Sequence, residues 1–417
     1  MSREMKYSGI PWIGEIPKDW SINLLSSLFD EHKQKNKDLS ETNLLSLSYG
    51  KIIRKDINTK EGLLPESFDG YNIISDGDIV FRLTDLQNDK RSLRTGLCFE
   101  KGIITSAYVT IRARQELHSP YYHYLVHSYD VCKVFYGMGD GVRQGMNYSD
   151  LRKLFLISPS FSEQQKIAVF LDKKCGEVDE IIALQEQIIE ELKAYRQSVI
   201  TEAVTKGLNP NVPMKDSGIE WIGEIPEHWE VMPHKRVMHK IKEIQEQYNG
   251  EKILSLTMKG VIVRDLDAGG KMPTTFDGYQ KVYPNNLLQC LFDIDVTPRC
   301  VGLIKDEGLT SPAYSQFELF DNGYAPYYDY LLRYMDDIKA MLHLSKNLRS
   351  SLTETDFGAI PTCVPPFTEQ QTIADYLDEK CSEIDKLISI KQQKIESLKE
   401  YKKSIIYEYV TGKKEVE

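Results

Sequence analysis

Two stretches of the sequence decide its architecture: Ser8-Gly-Ile-Pro-Trp-Ile-Gly-Glu-Ile-Pro-Lys-Asp-Trp20 and Ser217-Gly-Ile-Glu-Trp-Ile-Gly-Glu-Ile-Pro-Glu-His-Trp229. Ten of their 13 positions are identical, at an offset of 209 residues. Further matches follow in the same order, and Glu163-Gln-Gln165 returns as Glu369-Gln-Gln371 at an offset of 206. This period is far too long for a solenoid repeat. The sequence therefore predicts a tandem duplication of a whole domain unit.

The two copies diverge unevenly. Their ends match closely, whereas their middles differ and change length between Tyr71 and Gly96, which correspond to Tyr279 and Gly302. Two copies of one active site would keep the same catalytic residues, but two domains that recognise different ligands would keep only their scaffold. The pattern favours two recognition domains. A duplicated scaffold with one inactive site is the alternative.

Composition limits the class of protein. A chain of 417 residues, 41% hydrophobic and 27% charged, should form two or more globular domains. It has no run of about 18 apolar residues and no apolar segment behind its first basic residues, so neither a membrane span nor a signal peptide is expected. Seven dispersed cysteines favour reduced thiols in the cytoplasm. The net charge of −10, with no strongly basic segment, means that any contact with DNA must use local patches.

The globular part of each copy mixes short β-type runs with turn signals. Asp76-Gly77 separates two apolar runs, and Ile103-Ile104 and Tyr108–Ile111 have the composition of strands. Residues 121–136 have a helical pattern. The sequence predicts an α+β fold.

Each copy ends in a long helical pattern. Ser162 is the expected N-cap of the first, with Gln165 three residues on. Apolar residues then recur at 4-3 spacing, which predicts a coiled-coil seam. The alternative is an amphipathic helix that covers an ordinary core. The predicted seam consists of Leu171, Cys175, Val178, Ile182, Gln185, Ile189 and Leu192 in copy one and of Leu377, Cys381, Ile384, Ile388, Lys391, Ile395 and Leu398 in copy two.

The connection between the copies predicts their topology. Gly207 is an expected C-cap, and a linker with Pro210 and Pro213 leads directly into the second globular part. If the second helix packs on the first, it must run back, so the two helices should be antiparallel with pseudo-two-fold symmetry. The predicted segments are a first globular domain, 1–160; a central helical region, 161–207; a second globular domain, 208–366; and a C-terminal helical region, 367–417.

No catalytic constellation is evident. The sequence lacks a glycine-rich nucleotide loop, a His-Glu-x-x-His motif and the Asn-Pro-Pro-Tyr signature of amino-methyltransferases. His123 and His127 stand four residues apart, as metal ligands on a helix do, but Asp329 and Arg333 replace them in copy two. We therefore expect neither a catalytic residue nor a bound metal. The four tryptophans recur in both copies and are interpreted as packing anchors.

Candidate DNA contacts are the basic and amide residues of the divergent parts, because arginine, asparagine and glutamine can each bind a base edge through two hydrogen bonds. Solvated surface charge is the alternative explanation for about half of them. The candidates are Arg82, Lys90, Arg91, Arg94, Arg143 and Gln144 in copy one and Lys259, Arg264, Arg299, Asn347 and Arg349 in copy two.

With these parts in place, the chain resembles the specificity subunit of type I restriction-modification enzymes. The resemblance lies in the Trp-Ile-Gly-Glu-Ile-Pro stretches at 12–20 and 221–229, the Glu-Gln-Gln stretches within 159–172 and 365–378, and the long helices that follow. It implies two target-recognition domains, each specific for half of an asymmetric bipartite DNA site, joined by helices that set their spacing and bind two methyltransferase subunits.

The resemblance also implies where the chemistry takes place. The methyltransferase subunits would bind S-adenosylmethionine and methylate adenine, and translocase-nuclease subunits would use ATP and Mg²⁺ for cleavage, so this chain would hold no cofactor. Two other functions stay open at this point: a specificity subunit of an orphan or phase-variable methyltransferase without cleavage, and a coiled-coil scaffold protein that does not bind DNA.

Overall fold

The computed structural model describes residues 3–58, 65, 67–86, 93–114, 116–138, 145–267, 273–344 and 350–416. Within these ranges the chain forms two compact units. Unit 1 consists of residues 1–186 and 393–417, and unit 2 consists of residues 187–392. Both unit boundaries fall inside long helices and not at the starts of those helices. None of the described helices contains a segment that is long and apolar enough to cross a membrane.

Unit 1 is built from short antiparallel strands and a few helices. Its strands are β1 (Met5–Tyr7), β2 (Glu15–Pro17), β3 (Ser21–Leu24), β4 (Phe29–Glu31), β5 (Leu45–Ser48), β6 (Lys51–Arg54), β7 (Asn72–Ile74), β8 (Ile79–Phe81), β9 (Thr95–Leu97), β10 (Gly102–Ile104), β11 (Val109–Ala113) and β12 (Phe155–Ser158). Its helices are α1 (Leu25–Leu28), α2 (Ser119–Val131), α3 (Tyr148–Leu151) and the first part of α4 (Phe161–Lys206).

Unit 2 repeats this order. Its strands are β13 (Met214–Asp216), β14 (Glu224–Pro226), β15 (Glu230–Pro233), β16 (Met238–Ile241), β17 (Glu243–Ile244), β18 (Leu254–Thr257), β19 (Gly260–Val263), β20 (Gln280–Val282), β21 (Leu287–Gln289), β22 (Val301–Leu303), β23 (Gly308–Thr310), β24 (Ser315–Leu319) and β25 (Pro361–Val364). Its helices are α5 (Ala325–Asp337), α6 (Glu354–Ala359) and the first part of α7 (Phe367–Val410).

Each unit is centred on a four-stranded antiparallel sheet. The strand order is β4-β11-β8-β9 in unit 1 and β16-β24-β21-β22 in unit 2. A second pairing joins the start of each globular part to its end: β3 pairs with β12, and β15 pairs with β25. The mixture of these sheets with helices agrees with the predicted α+β class.

Proline and polar caps determine where several helices begin. Pro120 and Pro326 lie in the first turns of α2 and α5, where the missing N–H removes no helical hydrogen bond. Asn147 and Thr353 form capping boxes at α3 and α6 with the acidic residue three positions on. The predicted helix over 121–136 is shorter than expected, because α2 ends at Val131 and a separate 3-10 turn covers Val134–Gly137.

Helix α4 begins before the residue that the sequence predicted as its N-cap. Helix α4 starts at Phe161, and the Oγ atom of Ser160 accepts a hydrogen bond from the Glu163 amide at 3.3 Å. The prediction of Ser162 as N-cap is therefore wrong, since Ser160 fills that role. At the other end, Gly207 adopts a φ of +72°, which favours glycine and confirms the predicted C-cap.

The last turns of both long helices are part of a globular core. In unit 1, Ile405, Ile406 and Val410 of α7 are buried in the same apolar cluster as Trp20 and the residues of α2. In unit 2, Val199, Ile200, Ala203 and Val204 of α4 are buried with Trp229 and the residues of α5. Tyrosine hydroxyls donate to the helix ends: Tyr121 to the Val410 carbonyl at 3.0 Å, and Tyr327 to the Val204 carbonyl at 3.2 Å.

Within each unit, segments of α4 and α7 lie side by side. In unit 1 the rings of Phe170 and Tyr409 are 4.4 Å apart, and Lys402 Nζ is 2.6 Å from an Asp179 carboxylate oxygen. The residue number rises along one segment as it falls along the other, so the two segments of unit 1 run in opposite directions. In unit 2, Arg196 Nε is 3.4 Å from Asp385.

Candidate nucleic-acid interface

The segment in which the copies differ in length is a connection between two central strands. Strands β8 and β9 are joined by residues 82–94, and β21 and β22 by residues 290–300. We call these segments the strand loops. The loop of unit 2 is two residues shorter, but the strands on either side pair in the same register, Phe81 with Thr95 and Gln289 with Val301. The sheet therefore tolerates changes in the loop.

A buried aspartate holds the end of each strand loop. Asp130, in the last turn of α2, accepts a hydrogen bond from the Arg94 amide at 2.5 Å, and Asp336 of α5 accepts one from the Cys300 amide at 2.9 Å. Both aspartates are only 1% exposed. A carboxylate buried this deeply is costly unless it is hydrogen-bonded. The equivalent arrangement in both copies shows that the loop ends are fixed although the loops vary.

A second segment lies beside each strand loop. The Met146 amide donates to the Leu83 carbonyl at 2.9 Å, and the Leu352 amide donates to the Leu291 carbonyl at 2.8 Å. In unit 2 the Ile294 amide also donates to the Ser350 carbonyl at 3.2 Å. The fold thus brings together two parts of each copy that are about 60 residues apart in sequence and that both contain, or directly adjoin, predicted DNA contacts.

A β-hairpin forms the third element. Its strands are β5 and β6 in unit 1 and β18 and β19 in unit 2, and it is bound at its base by bridges from Leu44 to Ile103 and from Ile253 to Leu309. In unit 1 its turn reaches the strand loop, because a Cβ atom placed on Gly50 would be 3.0 Å from Leu93 Cδ1. We define the candidate interface of each unit as the hairpin turn, the strand loop and the adjoining segment.

Two predicted DNA contacts are structural residues. Arg94 is fully buried, and its guanidinium donates to the carbonyls of Thr84 at 2.7 Å and Asp85 at 3.3 Å. The Arg299 side chain is 14% exposed and lies 2.8 Å from Asp337 and 3.3 Å from Asp336. Both assignments are corrected. These arginines hold the strand loops in place, because their guanidinium groups are bound by acceptors inside the domain.

The other predicted contacts have mixed positions. Lys259 is exposed at the hairpin turn of unit 2, whereas Arg82 and Arg264 are half-buried and have partners within the protein. Six candidates lie outside the described residues: Lys90, Arg91, Arg143, Gln144, Asn347 and Arg349.

Exposed apolar side chains at these elements were not predicted. Tyr49 at the hairpin turn of unit 1 is 79% exposed, and its counterpart at the turn of unit 2, Met258, is 62% exposed. Phe292 and Val296 on the strand loop of unit 2 are 37% and 73% exposed. The sequence contained one signal, since a large apolar residue beside a glycine turn, as in Tyr49-Gly50, has no strand position in which to be buried.

Helix positions below the interface differ between the units. In unit 1 burial lowers the pKa of His123 to about 3 and that of His127 to about 4, so both rings are neutral near pH 7. In unit 2 Asp329 forms an ion pair of 2.8 Å with Arg333 at the equivalent positions. Among the described residues, no group of three or more histidine, cysteine or acidic side chains is placed to hold a metal ion.

The helices show the burial pattern that the 4-3 spacing predicts. Every predicted seam residue is buried or half-buried, and even Gln185 is only 5% exposed. Two apolar positions outside the seam are exposed in both copies: Ile181 and Leu184 on α4, at 40% and 54%, and Leu387 and Ile390 on α7, at 46% and 57%. Ile181 corresponds to Leu387, and Leu184 to Ile390, at the offset of 206 residues.

Comparison with known proteins identifies relatives along the whole chain, although no protein-family model matches. The chain is 25% identical over 434 aligned positions to the MjaX specificity subunit assigned to a type I restriction enzyme of Methanocaldococcus jannaschii, covering 96% of this chain and 95% of the relative.

Two solved structures share the fold. One comes from a study of complex assembly and conformational transition in a type I restriction-modification system (TM-score 0.68, 15% identity, 95% of this chain and 99% of the other). The second is the HsdS subunit of Thermoanaerobacter tengcongensis (TM-score 0.51, 14% identity, 95% and 98%). The chain is therefore similar, along nearly its whole length, to a type I restriction enzyme specificity subunit in sequence and to an HsdS subunit in fold.

Proposed function

We propose that this chain is the DNA sequence-specificity subunit of a type I restriction-modification complex and that each unit recognises one half of an asymmetric bipartite site in double-stranded DNA. The observation that carries the proposal is the pair of strand loops, which differ in length and sequence on equivalent sheets with equivalent buried aspartates. Two domains that recognise different base sequences need this combination of a constant scaffold and a variable edge.

The chain is proposed to be non-catalytic. Two methyltransferase subunits would bind S-adenosylmethionine and flip the target adenine out of the duplex, because its amine cannot be reached inside the helix. Translocase-nuclease subunits with ATP and Mg²⁺ would carry out cleavage. The cysteines are free and dispersed, in keeping with the cytoplasmic location that we also propose.

The long helices are proposed to pair as an antiparallel coiled coil that sets the spacing of the half-sites and binds the methyltransferase subunits. The opposite course of the two segments in unit 1 supports antiparallel pairing. The exposed pairs Ile181 with Leu184 and Leu387 with Ile390 support the docking proposal, because equivalent apolar pairs on both copies suit two copies of one partner.

Methylome sequencing tests the main proposal. Co-expression of this chain with its methyltransferase subunit should produce adenine methylation at one bipartite sequence, whereas the purified chain with S-adenosylmethionine should methylate nothing. Replacement of residues 21–158 by the matching part of a relative should change one half-site only. Methylation by the lone chain, or a change in both half-sites after the swap, would contradict the proposal.

Helix length tests the proposed spacing. Insertion of one heptad into both α4 and α7 keeps the seam in phase and adds about 10 Å of helix, or about three base pairs of B-DNA. The methylated sequence should then keep both half-sites and gain a longer gap. A variant with an insertion in only one helix should assemble poorly. An unchanged gap at full activity in the doubly lengthened variant would show that the helices do not set the spacing.

Assays with the translocase-nuclease subunits separate two kinds of system. Cleavage of unmethylated DNA by the full complex indicates restriction, whereas methylation without cleavage indicates an orphan or phase-variable methyltransferase.

A further inference from the structure

The strand loop of unit 2 has an unusual surface for a segment that is proposed to face DNA. Phe292 and Val296 are exposed apolar side chains, and Asp293 and Asp295 are exposed carboxylates. Residues 290–300 are all described, and Arg299 is the only basic residue among them. Because its guanidinium is bound to Asp336 and Asp337, the loop presents apolar and negative groups but no positive one.

The conformation of this loop is fixed from inside the domain. Lys339 Nζ donates to the carbonyls of Ile294 at 3.5 Å and Thr297 at 3.3 Å, and it lies 3.0 Å from Asp336. Ile294 is fully buried. Asp293 has a φ of +48°, and its carbonyl accepts hydrogen bonds from the amides of residues 296 and 297. A loop held by this many bonds presents its exposed side chains in one arrangement, which base recognition requires.

The exposed side chains match one set of base edges. In the major groove, thymine presents its C5 methyl group, which phenylalanine and other apolar groups contact, and cytosine presents its N4 amine, which carboxylates accept from. Guanine presents only acceptors in that groove, and adenine presents the N7 acceptor beside its amine, so both purine edges repel a carboxylate more than cytosine does. The carboxylates also repel phosphates, and attraction to the backbone therefore has to come from neighbouring groups such as the exposed Lys259.

We infer that the strand loop of unit 2 recognises pyrimidine edges in the major groove, with Phe292 and Val296 against thymine methyl groups and Asp293 and Asp295 accepting from cytosine amines. This inference rests on the proposed function. The two units would then differ in chemistry, because the sequence of the unit 1 loop contains Lys90 and Arg91, and lysine and arginine suit guanine.

The first test changes only the DNA. A domain swap of residues 21–158 assigns one half-site to unit 1, and the other half-site then belongs to unit 2. The wild-type chain in complex with its methyltransferase subunits is assayed on duplexes in which uracil replaces thymine, since uracil lacks the methyl group. Replacement in the half-site of unit 2 should lower the rate of methylation about tenfold. Replacement in the gap should have no effect.

The second test changes the loop. Phe292→Ala and Val296→Ala should reduce the discrimination between thymine and uracil toward one. Phe320→Ala is the matched control, because Phe320 is an exposed phenylalanine of unit 2 (43%) outside the interface. Asp295→Asn should relax a cytosine position, and Asp293→Asn can be tested in parallel, because asparagine tolerates the positive φ at that site.

The outcomes distinguish this inference from the function on which it rests. Bipartite methylation by the wild-type complex supports the proposed function. If that methylation is unaffected by uracil throughout the half-site of unit 2, or if that half-site consists of G·C pairs only, the inference is overturned and the function stands. If the wild-type complex shows no sequence-specific methylation, both fail. Loss of uracil sensitivity in Phe292→Ala but not in Phe320→Ala supports the inference.

Discussion

Units 1 and 2 keep the same sheet but differ at the positions just below the candidate interface. Unit 1 buries two neutral histidines, His123 and His127, where unit 2 buries the ion pair of Asp329 and Arg333. Neither the histidine pair nor the ion pair leaves an unpaired charge at these positions, so the same fold can contain either one. The aspartate at the helix end is the same in both units, because the backbone amide to which it binds is present whatever the loop sequence. The backbone hydrogen bonds of the scaffold are therefore the same in both units, whereas the side chains packed around them differ.

The largest expected effect comes from removing the buried aspartate of one unit. Asp336→Ala leaves the Cys300 amide, Arg299 and Lys339 without their common acceptor and should lower the free energy of unfolding by about 3–5 kcal/mol. Urea denaturation monitored by circular dichroism measures it. Asp130→Ala tests whether the stability of unit 1 depends equally on its aspartate. Methylome sequencing should show that each variant affects only one half-site. A cost below about 1 kcal/mol would show that the aspartate does not hold the loop.

A smaller effect is expected where the base of each hairpin contacts β10 in unit 1 or β23 in unit 2. A Cβ atom on Gly308 would be 2.4 Å from the Lys252 carbonyl oxygen, and one on Gly102 would be 2.5 Å from that of Asn43. Because backbone must move, Gly308→Ala and Gly102→Ala should each cost about 1–3 kcal/mol. Thermal unfolding measures the loss. Gly70→Ala is the control, since no atom of the described residues lies within 4 Å of its Cβ position. Equal stability of all three variants would contradict the close approach of the backbone to the Cβ positions of Gly308 and Gly102.

The histidine pair predicts that unit 1 contributes two proton-binding groups to the pH dependence of stability. Because burial lowers the pKa of His123 to about 3 and that of His127 to about 4, the folded state stays unprotonated where the unfolded chain begins to bind protons, near pH 6.5. Above that pH the neutral histidines do not lower the free energy of unfolding. Below it, the free energy of unfolding decreases by about 1 kcal/mol per pH unit for each histidine.

Among the described residues, no carboxylate raises the pKa of either ring. His123 contacts the backbone of Thr95, and the positive charge of Lys402 further disfavours protonation of His127. Replacement of both histidines by glutamine should flatten the profile of unfolding free energy between pH 7 and pH 5. His234 in unit 2, whose pKa burial lowers to about 4, keeps its contribution in the variant. An unchanged slope would contradict the assignment of the acid sensitivity to this pair.

The smallest effect concerns the equivalent ion pairs on the helices. Lys402 and Asp179 are 2.6 Å apart in unit 1, whereas Arg196 and Asp385 are 3.4 Å apart and more exposed in unit 2. Pairs this accessible to solvent contribute about 0.2–1 kcal/mol. We therefore expect Lys402→Ala to cost no more than about 1 kcal/mol and Arg196→Ala to cost less. Double-mutant cycles with Asp179→Ala and Asp385→Ala measure the two coupling energies, and a larger coupling in unit 2 would reverse the expected order.

The repeated motifs, the mixture of strand and helix patterns and the 4-3 spacing of apolar residues predicted the duplication, the α+β class and the long helices. These features are periodic or repeated, and a pattern of that kind is visible without knowledge of tertiary contacts. The sequence also located the segment where the copies differ in length. It could not give the first residue of α4, because Ser160 and Ser162 are equally good caps until the backbone is placed.

The positions of the candidate residues depend on tertiary contacts. Arg94 and Arg299 lie in the right loops and have the right chemistry, but their guanidinium groups are directed into the domain by acceptors that the sequence places far away, among them Asp336. Phe292 and Val296 are residue types that are usually buried in a core, but on this loop they are exposed. The direction of a side chain depends on contacts between segments distant in sequence, and local pattern therefore does not determine it.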